Sequence, residues 1–310
     1  MITRPLGRSG VEVSVLGVGT VSLGTPYGIP AAEGLGPPPR GEAVALLREA
    51  ADAGITLFDT APAYGEAESI LGEALGDRSE CLLATKVGVP AGNPDRHALA
   101  ASVRQSLDAS RRALRREVLD IVQIHNATEA VIRRGELAEI LLAEREAGRI
   151  RLLGATVYTE AEALAAIRAG VFDVVQVPFN GLDRGMAGRV FPEAARAGVG
   201  VVARSVYLKG VLTPRARKLP EALRPLREAA ARLVDTVAGS WDALPAVALR
   251  YCLGVEGVSC VLVGPRSPGE LREALDAVAR GPLPPGTRAR VEAVGVDDPA
   301  LLNPVNWPIP

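Results

Sequence analysis

The sequence predicts a (β/α)8 barrel, the TIM-barrel architecture of the α/β class. Three observations predict it. Short apolar runs alternate with longer amphipathic segments, eight such pairs follow one another, and several of the runs are apolar almost throughout, as buried parallel strands are. At 310 residues the chain has a length at which such barrels commonly form one domain, so we expect a single domain over residues 1–310.

The predicted strands are the apolar runs, each of the length that a buried strand needs. They lie at 15–20, 55–60, 81–88, 118–125, 150–156, 173–179, 199–205 and 259–265. The predicted helices lie at 41–54, 65–76, 96–115, 135–148, 159–170, 186–198, 243–254 and 267–281. Many of these end in Gly, the residue that most readily takes the left-handed C-cap conformation.

An open, doubly wound sheet is the alternative architecture. It usually carries the pattern G-x-G-x-x-G after its first strand, where a helix begins. Here the corresponding stretch is LGVGTVSLGT (16–25), which has glycines without that pattern and without a clear helix start. The barrel is therefore favoured.

Three segments do not fit the alternation. Residues 24–40 are rich in Pro and Gly and follow the first strand, and residues 206–240 separate the seventh strand from its helix, with an extra helix predicted at 221–238. The tail, 296–310, is Pro-rich and is predicted to be irregular. Because long segments after barrel strands lie on the catalytic face, we expect the first two to border the active site.

The composition narrows the class of protein. Apolar residues make up 48% and charged residues 23%, and the net charge of −1 gives no bulk attraction to nucleic acid or to an anionic membrane. The amino terminus lacks the apolar stretch of a signal peptide and no apolar run approaches the length of a membrane span, so we expect a cytoplasmic protein. Cys81, Cys252 and Cys260 have no metal-ligand or redox spacing, and no metal site is predicted.

Polar side chains cluster at the carboxyl ends of three neighbouring predicted strands. Asp59 ends the second strand and Tyr64 follows it, Lys86 lies near the end of the third, and His125 ends the fourth. Adjacent strands are about 5 Å apart, so these side chains can converge on the catalytic rim.

These four residue types suit proton transfer to a carbonyl oxygen. A phenol holds its proton at neutral pH, and a nearby ammonium lowers its pKa and eases the transfer, so Tyr64 beside Lys86 can act as a donor. Asp59 can keep a half-buried Lys86 charged. His125, expected to be neutral, can hydrogen-bond the substrate oxygen and polarise the carbonyl.

The motifs around these residues resemble those of the aldo-keto reductase family. They are FDTAPAYGEAE (58–68), LLATKVG (82–88), LDIVQIHN (119–126) and IRLLGAT (150–156), with DVVQVPFN (173–180) and GVSCVLVGPRSPGELREAL (257–275) following in order. The resemblance implies an NAD(P)-dependent oxidoreductase that interconverts a carbonyl and an alcohol. It also implies a catalytic tetrad of Asp59, Tyr64, Lys86 and His125 in which Tyr64 is the general acid and the cofactor supplies the hydride.

The resemblance implies the nicotinamide contacts less completely. Gln176 and Thr156 correspond to residues that bind the carboxamide, whereas Val157 stands where the family usually has Asn. Arg204 and Ser205 occupy a stretch where relatives often place a Tyr that stacks on the nicotinamide. A guanidinium can stack and can bind phosphate, so Arg204 is either a replacement platform or a pyrophosphate clamp.

Loops after the seventh and eighth strands form the usual phosphate site of a barrel. Gly264 and Arg266 lie there, and Arg266 is a candidate ligand of the 2′-phosphate of NADP. Glu270 opposes that reading because a carboxylate repels phosphate and can instead bind the ribose of NAD. NADP(H) is favoured, with NAD(H) as the rival, and Gly19, Thr20 and Asp59 complete the expected cofactor contacts.

The substrate is expected to be a small carbonyl compound or alcohol. Tyr27 and Trp307 are the candidate substrate contacts beside Tyr64 and His125. Two other functions remain as alternatives: a nicotinamide-binding regulatory subunit with little turnover, and a lyase or aldolase that uses Lys86 as a Schiff base.

Overall fold

The computed structural model describes residues 1–29, 36–90, 92, 94–296 and 298–307. Eight parallel strands form a closed barrel with helices around it, which confirms the predicted (β/α)8 architecture. Residues 30–35 of the predicted loop 24–40, and residues 297 and 308–310 of the predicted tail 296–310, lie outside the described residues.

The barrel strands follow one another around the barrel in chain order, and the last pairs with the first. They are β3 (Leu16–Gly19), β4 (Leu57–Asp59), β5 (Leu82–Gly88), β6 (Leu119–His125), β7 (Ile150–Thr156), β8 (Val174–Pro178), β9 (Gly200–Arg204) and β10 (Cys260–Val263), and they are preceded by an antiparallel hairpin, β1 (Thr3–Pro5) and β2 (Glu12–Ser14). All eight strands coincide with predicted ones within two residues at each end. The hairpin was not predicted because each of its strands has three residues.

Helices surround the barrel, and the shortest of them lies at its carboxyl rim. They are α1 (Val21–Gly24), α2 (Arg40–Asp52), α3 (Ala67–Leu75), α4 (Arg96–Leu114), α5 (Glu129–Arg134), α6 (Glu136–Glu146), α7 (Glu160–Arg168), α8 (Val190–Ala197), α9 (Arg224–Leu233), α10 (Leu244–Leu253), α11 (Pro268–Ala279) and α12 (Pro285–Glu292). All eight predicted helices form, and α1, α5 and α12 are additional. The helix predicted at 221–238 is a 3-10 turn at Glu221–Leu223, then α9, then one π-helical turn at Val234–Ala238.

Shorter 3-10 turns occur in two of the three irregular segments, the one after β9 and the tail. They lie at Leu208–Gly210 and Pro214–Lys218 after β9, and at Pro299–Leu302 and Pro304–Asn306 near the end of the chain. The turns after β9 bring the start of the predicted segment 206–240 over the carboxyl ends of the strands.

Side chains fill the interior of the barrel because alternate strand residues point inward. The lower ones are apolar and include Leu57, Leu82 and Ile121, and Leu6 and Val13 of the hairpin segment pack against them. Nearer the carboxyl ends of the strands, inward positions become polar, as at Asp59, Lys86 and Gln123. The sequence thus places a closed apolar base below and polar side chains at the open carboxyl end.

Neither a membrane span nor a clustered metal site is found in the part of the chain that the structure describes. None of its helices combines the length and the apolar character needed to cross a bilayer. No three His, Cys, Asp or Glu side chains among these residues group in a way that would hold a metal ion.

Candidate active site

The structure brings the four predicted tetrad residues together at the carboxyl rim. Lys86 Nζ lies 2.6 Å from Asp59 Oδ2 and 4.9 Å from the centroid of the Tyr64 ring. The rings of Tyr64 and His125 meet edge to face with their centroids 6.0 Å apart. Three adjacent strands and one turn therefore deliver an ammonium, a carboxylate, a phenol and an imidazole to one point.

Tyr64 is held by a tight turn after β4. Its N–H donates to Ala61 O at 3.0 Å, and its carbonyl accepts from Ala67 N at 3.1 Å. Gly65 has a φ of +58°, which favours glycine. A Cβ on Gly24 would lie 1.9 Å from Tyr64 O, so the backbone of α1 packs directly against this turn.

Lys86 is a buried ammonium with two oxygen partners. Its Nζ donates to Asp59 Oδ2 and, at 2.8 Å, to the carbonyl of Thr60, and the side chain is only 1% exposed. Burial lowers the pKa of Lys86, but Asp59 and Tyr64 raise it by more, so the net pKa lies above the ordinary lysine value. Lys86 therefore carries its charge at neutral pH.

The pKa of Tyr64 differs from the expectation. Lys86 does favour the phenolate, as predicted, but burial of the ring raises the pKa by more than Lys86 lowers it, and the net pKa lies above the ordinary tyrosine value. Burial, followed by the charge of Lys86, lowers the pKa of His125 to about 4. Tyr64 is thus protonated and His125 is neutral at pH 7.

Asp59 is also bound by two amides. Its Oδ1 accepts from Gln123 Nε2 at 2.9 Å and from Gln176 Nε2 at 2.8 Å, and Gln176 Nε2 also donates to Gln123 Oε1 at 3.3 Å. Because a carboxylate only accepts, it fixes which end of each amide faces it. The oxygen of Gln176 is left as an acceptor for a ligand.

Gln123 was missed by the sequence analysis. It lies two residues before His125 on β6, and the two-residue period of a strand places both on the inner face of the barrel. A polar residue at an inward position immediately before the catalytic rim was the available signal.

A cavity of about 560 Å³ opens at this rim. It is lined by all the predicted site residues except Trp307, namely Gly19, Thr20, Tyr27, Asp59, Tyr64, Lys86, His125, Thr156, Gln176, Arg204, Ser205, Gly264, Arg266 and Glu270. The predicted catalytic and cofactor-binding positions therefore share one cavity.

Comparison with known proteins agrees with this arrangement. The family model "Aldo/keto reductase family" matches residues 15–295. The chain belongs to the aldo/keto reductase family. It is accordingly an NAD(P)-dependent oxidoreductase that acts on carbonyl or alcohol groups, and the family uses a nicotinamide cofactor.

Relatives of this aldo/keto reductase cover nearly the whole chain. L-galactose dehydrogenase of Arabidopsis thaliana is 29% identical, over 98% of this chain and 96% of that protein. Pyridoxal 4-dehydrogenase of Microbacterium luteolum is 29% identical, over 87% of this chain and 91% of that protein. An aldo-keto reductase of Bacillus halodurans, solved in its holo form, superposes with a TM-score of 0.78 at 26% identity, over 95% of this chain and 96% of that chain.

Thr156 lies in the reductase cavity as expected from its motif. Its Oγ1 accepts from Asn126 N at 2.8 Å, which ties the end of β7 to the residue after His125. Val157, in contrast, is fully buried and presents only its backbone to the neighbouring Arg204.

Arg204 takes a fixed position on this wall. Its guanidinium carbon lies 4.3 Å from the centroid of the Tyr158 ring, Nη2 donates to Val157 O at 3.0 Å, and Nη1 donates to Ser205 Oγ at 3.1 Å. One face of the guanidinium is thus covered by Tyr158, an aromatic residue that the sequence analysis did not single out.

A second wall of the cavity is formed by the start of α11. Glu270 Oε1 accepts from Arg215 Nη2 at 2.6 Å, and Oε2 accepts from Arg266 N at 2.8 Å. Ser267 caps the helix by accepting from Glu270 N at 3.2 Å, and the Arg266 guanidinium donates to Gly36 O. Arg215 was missed because it lies in the Pro- and Arg-rich segment, where no periodic pattern marks it.

Trp307, predicted as a substrate contact, does not line the described cavity. It is 7% exposed, packs with the hydrophobic core, and donates from Nε1 to Leu301 O at 2.8 Å. The apolar body of the indole is buried and its N–H is satisfied within the tail. Tyr27 lines the cavity as predicted in position, with 36% of its surface exposed.

Proposed function

We propose that this reductase reduces an aldehyde or ketone with Tyr64 as the general acid, or oxidises the corresponding alcohol or sugar in reverse. The observation that carries the proposal is the contact network of the tetrad: Lys86 lies between Asp59 and the ring of Tyr64, and His125 lies at the edge of that ring.

Each protein group has a defined task in this proposal. The nicotinamide supplies the hydride when it is bound. Neutral His125 donates a hydrogen bond to the substrate oxygen, and Tyr64 transfers its phenolic proton to that oxygen as negative charge develops there. Lys86 stabilises the resulting phenolate, and Asp59 keeps Lys86 charged without itself touching the substrate.

The residues of the cavity fit a nicotinamide cofactor. Gln176 is oriented by Asp59 so that its amide oxygen can accept from the carboxamide, and Thr156 lies on the neighbouring strand. Gly19 and Gly264 line the adjoining wall and carry no side chain, which leaves their backbone accessible to a ligand. Thr20, Asp59 and Ser205 complete the proposed cofactor contacts.

We infer a preference for NADP(H) over NAD(H). Glu270 is the residue that argued for NAD, because a free carboxylate can accept from a ribose hydroxyl. Both of its oxygens are already occupied, by the Arg215 guanidinium and by Arg266 N, so its charge is compensated. The Arg266 side chain and the capped amino terminus of α11 then favour a 2′-phosphate.

The two other functions fit the site less well. A regulatory subunit with little turnover would not need the complete buried network around Lys86. A Schiff-base mechanism needs a neutral lysine amine, whereas the pKa of Lys86 lies above its ordinary value. The names of the relatives, L-galactose dehydrogenase and pyridoxal 4-dehydrogenase, support a sugar or an aromatic carbonyl as the type of substrate to test.

Cofactor preference is tested by two substitutions with opposite expected results. Arg215→Gln leaves Glu270 uncompensated and should shift the ratio of Kd values about tenfold toward NADH, whereas Glu270→Gln should shift it toward NADPH. Tryptophan-fluorescence titration with NADPH and with NADH measures both, and a carbonyl panel with the preferred cofactor then tests turnover. Equal ratios in the two variants and the wild type would contradict the assigned wall, and binding without reduction of any carbonyl would support the regulatory alternative.

A further inference from the structure

Arg204 is a cation in the cavity whose contacts are with neutral groups. Its guanidinium donates to a backbone carbonyl and to a hydroxyl and stacks on a phenol ring. Among the described residues no carboxylate lies within ion-pair distance of it, whereas Lys86 and Arg215 in the same cavity are paired with Asp59 and Glu270. The Asp183 carboxylate acts on Arg204 only from beyond ion-pair distance. A half-buried cation without a directly contacting counter-ion favours an anionic ligand.

The charge of Arg204 acts at the reacting end of the cavity. Burial and then Lys86 lower the pKa of His125 most, and Arg204 adds to them. Arg204 also opposes the burial that raises the pKa of Tyr64 and of Tyr27. The acidic residues of the α11 wall instead act on Tyr207, whose pKa is raised mainly by burial and then by charges that include Glu270. Arg204 also contacts Val157 and Tyr158, which directly follow β7, so it lies on a different wall from the start of α11 proposed for the 2′-phosphate.

The anchoring of Arg204 leaves hydrogen-bond donors for a ligand. A guanidinium has five N–H groups, and the two contacts to Val157 and Ser205 use one each from Nη1 and Nη2. The Tyr158 ring fixes the plane of the group. A planar, pre-oriented fork of this kind matches the two oxygens of a carboxylate.

We propose that Arg204 binds a carboxylate of the substrate, so that the preferred substrates of this enzyme are carbonyl compounds that carry a carboxylate group. The proposal rests on the carbonyl reduction proposed above and assigns its substrate class. It replaces the two roles that the sequence left open for Arg204, stacking on the nicotinamide and clamping the pyrophosphate.

A matched pair of aromatic aldehydes tests the proposal. 4-Carboxybenzaldehyde and 4-nitrobenzaldehyde are similar in shape, and both are electron-poor, but only the first is an anion. The ratio of their kcat/KM values cancels any change in folding or cofactor binding that the two reactions share. We expect the wild type to prefer the anion, and Arg204→Gln to lower the ratio about 10- to 100-fold, as for the loss of a charged hydrogen bond.

Two further variants control for charge. Arg204→Lys retains the cation without the planar fork and should keep part of the preference. Arg189→Gln removes the same charge from an exposed ion pair with Glu160, outside the cavity, and should leave the ratio at the wild-type value.

The outcomes separate this inference from the proposed function. If both aldehydes are reduced and Arg204→Gln leaves their ratio unchanged, the carboxylate assignment is overturned while carbonyl reduction stands. If Arg204→Gln instead weakens NADPH binding in a fluorescence titration and lowers both kcat/KM values equally, Arg204 is a cofactor contact and the assignment is again overturned. If neither aldehyde nor any other carbonyl is reduced, the proposed function itself fails.

Discussion

Asp59 connects several site residues because both of its carboxylate oxygens accept hydrogen bonds from them. One oxygen binds the ammonium of Lys86 and the other accepts from the amides of Gln123 and Gln176. A buried ion pair is maintained only when the remaining hydrogen-bonding positions are satisfied, and the two amides do this. They also fix the orientation of Gln176, which we propose as a cofactor contact, so the same carboxylate serves two parts of the site.

Replacing Gln123 with Leu should destabilise the enzyme. The change leaves Asp59 with one amide donor and Gln176 without its second acceptor, both in a buried setting, at a cost of about 1–3 kcal/mol. Urea unfolding measures the difference in free energy. Gln105→Leu makes the same chemical change at an exposed position of α4 and is the control; equal stability of the two variants would mean that the amide network contributes nothing.

At the residue scale, the sequence predicted where the site residues lie better than it predicted their pKa values and ion pairs. The tetrad could be read from strand ends, because inward-facing positions of neighbouring strands must converge. The raised pKa of Tyr64 could not, since it depends on how much of the ring is buried in the folded protein. Whether Arg204 has a counter-ion is likewise a matter of three-dimensional neighbours that no local pattern reports.

At the scale of elements, the turn after β4 depends on its contact with the short helix α1. Gly24 and Gly65 allow the two backbones to meet, and a Cβ on Gly65 would lie 2.4 Å from Gly24 O. The four-residue helix α1 has no apolar periodicity and was not predicted, yet it sets the position of the proposed general acid. Segments this short are fixed by tertiary packing and not by propensity.

Gly24→Ala should impair catalysis by moving the Tyr64 turn. The added Cβ would lie 1.9 Å from Tyr64 O and 2.7 Å from Ala67 N, both backbone atoms, so the turn must shift. We expect kcat/KM for carbonyl reduction to fall at least about tenfold, since misplacing a reacting group by about 1 Å can cost far more. Steady-state kinetics measures this.

Gly41→Ala is the matched control for this change. Gly41 lies in α2, and an added Cβ there would meet no atom within 4 Å. Wild-type kinetics in Gly24→Ala would show that the turn can adjust without moving Tyr64, and would contradict the role given to α1.

At the scale of the whole molecule, the alternation of strands and helices was sufficient to predict the barrel. Eight apolar runs with cap residues after the helices leave few other ways to bury so many strands. The secondary-structure elements that were not predicted from the sequence are those without a periodic row of apolar residues. The hairpin at the base of the barrel is one, and α12, in which only Val291 is buried, is another.

The barrel also explains why the chemistry was easier to predict than the ligands. Catalytic side chains lie on strand ends, whose position follows from the fold, whereas specificity depends on the segments after β3 and β9 and on the tail. Arg215 lies in one of these segments, and Trp307 lies in the tail but faces the core instead of the cavity. The positions of both side chains depend on how these irregular segments pack.

Carbonyl reduction by this enzyme depends, as proposed, on proton donation by Tyr64. The direct measurement is kcat/KM for an aldehyde in Tyr64→Phe, together with the Kd for NADPH from fluorescence titration. Tyr251→Phe, which removes a hydroxyl bound to Glu292 away from the cavity, is the control. We predict a loss of about 10²- to 10⁴-fold in kcat/KM for Tyr64→Phe with unchanged NADPH affinity; near-wild-type reduction by this variant would contradict the account.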